Sequence, residues 1–79
     1  MELKERVLKE VENKCNIKFN DYNYSNREDS RIIFLIKDNK QYYVSYSIIK
    51  DSNVKSILWI DWTLFDKSGD IINYSCFTK

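Results

Sequence analysis

The ten residues from Ser56 to Phe65, S-I-L-W-I-D-W-T-L-F, constrain this chain more than any other stretch. Leu58, Ile60, Trp62 and Leu64 recur with a period of two and no polar interruption. Successive side chains of an extended chain point to opposite faces, so these four share one wholly apolar face. Ile57, Trp59, Asp61, Thr63 and Phe65 share the other face, which is mixed. β-Branched and aromatic residues in that alternation predict a strand, and two faces with apolar groups to cover predict a central one.

Around this stretch the remaining segments fall into a short series. Residues 2–14 predict an amphipathic helix, because Leu3, Val7, Leu8, Val11 and Cys15 line one narrow stripe, with Asn13 and Asn16 as stop signals. Residues 16–30 are rich in Asn, Asp and Ser and predict a crossover loop. Within it Ile17 and Phe19 alternate as in a short edge strand, and Tyr22 and Tyr24 offer anchors. Residues 31–37, R-I-I-F-L-I-K, predict a strand apolar on both faces. Residues 41–49 predict a strand with Tyr42, Val44, Tyr46 and Ile48 on one side. A polar connection over 50–55 leads into the pivotal strand, and residues 71–77 predict the last one.

The turns set the registers. Asp66 to Asp70, D-K-S-G-D, holds the chain's one glycine. A three-residue hairpin loop with Gly69 in the left-handed position sets Asp66 opposite Asp70. That register pairs Leu64 with Ile72, Trp62 with Tyr74 and Ile60 with Cys76, apolar against apolar. The same segment begins like a calcium loop but lacks Gly at position six and Glu at position twelve, so the hairpin is preferred. A similar three-residue loop near Asp38 and Asn39 puts the even residues of the first two strands on one face. The expectation is a single α+β domain over residues 1–79, an N-terminal amphipathic helix packed on the even face of a four-stranded antiparallel meander sheet. That order resembles the general shape of cystatin-like folds, a likeness of shape that carries no motif and no activity with it.

Composition narrows the function classes. The chain of 79 residues has a net charge of +1 and no His. The signs balance in both halves, so neither half is a basic tail or an acidic mimic of nucleic acid. Without His the side chain best suited to acid–base work near neutral pH is missing, and so is the commonest zinc ligand. No phosphate-binding glycine loop or nucleophile motif is present, Glu28 and Asp29 are adjacent in a polar stretch, and Asp61 stands alone between two Trp. No enzyme, cofactor or metal role is expected. Cys15 and Cys76 read as reduced, largely buried thiols. The charged opening E-L-K-E-R is unlike a signal peptide, and no apolar run approaches the ~20 residues of a membrane span. A cytoplasmic protein is expected.

What remains is the face opposite the helix. In this register it carries Ile33, Leu35, Tyr43, Ile57, Trp59, Phe65, Ile71 and Phe77, with Asp61 among them. A solvated face ordinarily reads polar, and an aromatic anchor in a polar surround is what interfaces favour. The partner-binding candidates are Ile33, Leu35, Tyr43, Ile57, Trp59, Asp61, Phe65 and Phe77, centred on Trp59. Their cover is a protein partner or a second copy; the competing arrangement folds residues 16–30 over the same face. The expected function is a small non-enzymatic protein-binding module acting stoichiometrically. An A/T-biased short chain without catalytic residues is the kind that phages and mobile elements use as inhibitors, anti-CRISPR proteins included. The alternative is single-stranded nucleic-acid binding, with bases stacking on sheet aromatics such as Tyr42, Tyr43, Tyr46 and Trp59; against it stands the lack of a Lys/Arg cluster for phosphates.

Overall fold

A computed structural model describes residues 2–25, 31–50 and 57–78. The chain forms α1 (Leu3–Cys15), β1 (Asp21–Tyr24), β2 (Ile32–Lys37), β3 (Lys40–Lys50), β4 (Leu58–Asp66) and β5 (Ile71–Thr78). The strands make one antiparallel sheet in the order β1-β2-β3-β4-β5. The class is α+β. Residues 26–30 of the expected loop, 51–55 of the expected connection and Ser56 of the pivotal stretch lie outside the described residues.

The helix follows from its stripe and its end. Val7, Leu8 and Val11 are buried, while the residues between them carry charge to the surface. Asn16 stops the helix by taking the left-handed conformation, φ 53° and ψ 43°. Its N–H donates to Asn13 O, and the next N–H, of Ile17, donates to Glu12 O, which satisfies two carbonyls the helix leaves open. The Glu12 carboxylate then accepts the Phe19 N–H at 3.0 Å, steering the chain toward the sheet. Phe19 is buried beside Tyr42, edge to face at 6.0 Å.

The sheet has five strands where the sequence predicts four. The fifth is D-Y-N-Y, β1, which pairs Tyr22 with Leu35 and Tyr24 with Ile33. Asn and Asp are poor strand formers, so this segment reads as loop in isolation. The exposed edge of β2 supplies the hydrogen-bond template that its own composition does not. Residues 21–24 therefore extend the sheet sideways, and Ile17 and Phe19 ahead of them pack with the core cluster instead of folding over the second face.

Two local geometries reassign the faces. Between β2 and β3 the turn has two residues, not three. Asp38 (φ 50°) and Asn39 (φ 65°) both adopt positive φ, the signature of a type I′ turn whose twist matches the strands. Lys37 then pairs with Lys40, Leu35 with Tyr42 and Ile33 with Val44. One residue fewer in the turn flips the parity of β2, so its odd residues lie with the even residues of β3.

Between β4 and β5 the loop is the one its glycine predicts. Gly69 has φ +88°, and the Asp66 N–H donates to Asp70 O. Asp66 Oδ1 accepts the Ser68 and Asp70 N–H groups at 2.9 and 3.0 Å, so that carboxylate is engaged in the turn. Phe65 faces Ile71, but the register then slips at Leu64/Phe65, and Leu64 faces Asn73, Trp62 faces Ser75 and Ile60 faces Phe77. This bulge overturns the expected Leu64–Ile72, Trp62–Tyr74 and Ile60–Cys76 pairs. It sends Tyr74 and Cys76 to one face and Phe77 to the other.

The buried cluster holds Val7, Leu8 and Val11 of α1 together with Phe19, Ile33, Leu35, Val44, Ile60, Trp62 and Leu64. Tyr24, Tyr42, Tyr46, Ile48 and Phe77 pack at its margin. At the rim the Arg6 guanidinium lies 4.9 Å from the Phe77 ring centre and donates to Thr78 O at 2.8 Å. Ile33, Leu35 and Phe77, expected on the uncovered side, thus belong to the core side, and Ile33 is 0 % exposed. Cys15 is half-buried and Cys76 exposed, both free thiols, so the expectation of two largely buried cysteines does not hold for Cys76.

Candidate functional site

The opposite face of the sheet is built in cross-strand rows. The first runs Phe34, Tyr43, Phe65, Ile71 across β2 to β5. Tyr43 and Phe65 stack with ring centres 4.8 Å apart and planes 16° from parallel. Phe34 is 52 % exposed and Ile36, two residues along β2, is 41 % exposed. Phe34, Ile36 and Tyr43 line a concavity of about 300 Å³ that Lys67 closes on the turn side. Aromatic and aliphatic groups with one flexible cation at the rim suit an inserted apolar side chain.

The middle rows are polar. Ser45 faces Thr63, and Ser47 faces Asp61, which in turn faces Cys76. Beyond them a second apolar spot forms where Ile49 faces Trp59, at 46 % and 38 % exposure. Phe65 and Trp59 are six residues apart on β4, so the two spots are separated by about 20 Å at the usual rise per residue.

This layout sorts the predicted residues. Tyr43, Trp59, Asp61 and Phe65 lie on the face that no element covers among the described residues, and Ile57 is exposed just ahead of β4. Asp61 neighbours Trp59 along the same face, but Tyr43 belongs with Phe65 at the far end, so one patch centred on Trp59 becomes two. Ile33 and Leu35 are replaced by Phe34 and Ile36, and Phe77 by Tyr74, which is 71 % exposed. A readable signal existed for the first exchange: Asp-Asn is a pair that tolerates two positive φ angles, hence a two-residue turn. Ile49 was readable as well, since it continues the face of Tyr43, Ser45 and Ser47. Nothing in the sequence of 64–73 marks the bulge that moves Tyr74 and Phe77.

The electrostatics of the molecule are plain. The clear titration shift falls on the core-side margin, where burial first, and then neighbouring Tyr22, Glu5 and Glu2, push the Tyr24 hydroxyl above its ordinary value. Lys4 sits 4.7 Å above the same ring. Among the described residues no three Cys, Asp or Glu side chains gather as metal ligands, and no helix is long and apolar enough to cross a membrane. Compared with protein-family models, curated proteins and solved structures, the chain matches none.

Proposed function

We propose that this chain is a protein-binding module that works stoichiometrically, docking a partner protein on the uncovered face of its sheet. The observation behind this is the pair of apolar spots: Phe34 and Ile36 at one end, Ile49 and Trp59 at the other, each 38–52 % exposed on a face that the buried cluster does not use. Large apolar side chains grouped on one side of a small domain mark interaction surfaces. The polar band of Ser45, Ser47, Thr63 and Asp61 between them supplies hydrogen-bonding groups that would fix orientation. A small module whose partner buries this face also gains stability that its short chain supplies sparingly. The same Asp61, exposed in the middle of the face, opposes a phosphate backbone running across it, which favours protein over single-stranded nucleic acid. An inhibitory role of the kind phages deploy fits stoichiometric action and adds no residue to the site.

The test is capture from a lysate of the source cells on immobilised chain, with and without nuclease. The bound protein is expected to survive nuclease and to be lost with Phe34→Ser or Trp59→Ala, both of which keep the fold by circular dichroism. Retention by both variants, or loss on nuclease treatment, overturns the assignment.

A further inference from the structure

The sheet has two edges, and they are treated differently. β1 is four residues long and carries exposed Asp21. Short length and a charge are the ordinary protections of an edge strand. β5 is eight residues long, I-I-N-Y-S-C-F-T, without charge, Pro or Gly. Its bulge lies at one end, beside Ile71–Asn73, and leaves the rest regular.

Two hydrogen bonds show which backbone groups of β5 face outward. The Tyr74 N–H donates to the side-chain oxygen of Asn73 at 2.8 Å, and Thr78 C=O accepts from Arg6 at 2.8 Å. Neither group is turned to β4, and alternate residues of a strand turn their backbone groups the same way, so Tyr74, Cys76 and Thr78 face the free edge. Side chains of the chain itself occupy the two ends of that row. Its centre, Cys76, is exposed and open.

We propose that β5 pairs with β5 of a second copy of this chain, antiparallel about a two-fold axis at Cys76. In this register the Cys76 N–H and C=O meet the partner's Cys76, and Tyr74 comes opposite the partner's Thr78, a pairing for which the Tyr74 N–H leaves Asn73 and the Thr78 C=O leaves Arg6. It is the symmetric register that engages all three outward-facing residues of each strand. A second copy is favoured over a foreign strand by the lack of charge. In a two-fold pair a charge at the axis meets its own image, which is how edges resist self-association; β5 itself carries no charged residue, and the one cation on its edge, Arg6 at Thr78, lies two residues from Cys76 and so does not meet its image. An axis perpendicular to the sheet joins like faces, so the uncovered faces of the two copies become one surface. This pairing uses an edge, not that face, and does not depend on the docking role above.

Sedimentation equilibrium in reducing buffer tests it. The wild type is expected to dimerise reversibly, Cys76→Ser to match it, and Phe34→Ser on the uncovered face to match it also. Cys76→Lys sets two ammonium groups against each other and should weaken the dimer about tenfold or more. Tyr74→Lys, at a highly exposed position, serves if Cys76→Lys fails to fold. A wild type that stays monomeric at its highest soluble concentration overturns the pairing. So does a dimer that both lysine variants leave unchanged, or one that Phe34→Ser alone dissolves.

Discussion

The two faces of this sheet both carry rows of large apolar side chains, and those rows meet opposite fates. On one, Ile33, Val44 and Leu64 form a cross-strand row that is sealed, each at 0–1 % exposure. On the other, Phe34, Tyr43 and Phe65 form the adjacent row, with Phe34 half-exposed and the remaining two partly covered by each other. Composition does not separate them. The difference is that the stripe of α1 shares a buried cluster with the first row, while among the described residues no element covers the second. A strand that is apolar on both sides announces a need for two covers, and the described residues provide one.

The sharpest way to break this contrast is to truncate neighbours that point to opposite sides. Ile33→Ala should cost about 2–5 kcal/mol in urea unfolding, by lost burial and the cavity left behind. Phe34→Ala, one residue on, should cost about 1 kcal/mol or less, the scale of a cross-strand contact with Tyr43. Equal or reversed costs would return β2 to the opposite parity.

A smaller effect belongs to the turn that joins β4 to β5. At Gly69 an added Cβ would sit 3.7 Å from the Tyr43 hydroxyl, an ordinary contact, so the strain of Gly69→Ala is in the backbone at φ +88°. The expected loss is about 1–2 kcal/mol, with the Tyr43–Phe65 side unaltered otherwise. A neutral substitution would mean that the loop does not hold this conformation.

The smallest effect is a pH dependence confined to the core-side margin. The folded state raises the Tyr24 pKa above its ordinary 10.0, chiefly through burial, so the phenol is held neutral. The associated stability is complete below that ordinary value and is lost as pH rises through the folded value. Melting temperatures in alkaline buffer should fall further for the wild type than for Tyr24→Phe; identical curves would remove the effect.

Much of the architecture is legible without coordinates. The helical stripe of Val7, Leu8 and Val11, the four longer strands and the glycine loop at 66–70 each follow from periodicity or turn chemistry. β1 is not legible, because D-Y-N-Y becomes a strand only against the waiting edge of β2. The candidate site is legible in part. Tyr43, Trp59, Asp61 and Phe65 are placed by the alternation of β3 and β4, which face each other in register through nine pairs. Ile33, Leu35 and Phe77 were misplaced, because one residue in a turn and one in a bulge invert every side chain beyond them.

The sequence by itself determined the helix and the four longer strands, the interior place of β4 and the presence of apolar groups on both faces of the sheet. Those properties are local or additive, written in the spacing of side chains along the chain. Tertiary structure decided which residues of β2 and β5 join the second face. Face assignment is a parity, carried through each turn and bulge, and parity is fixed only when the strands meet.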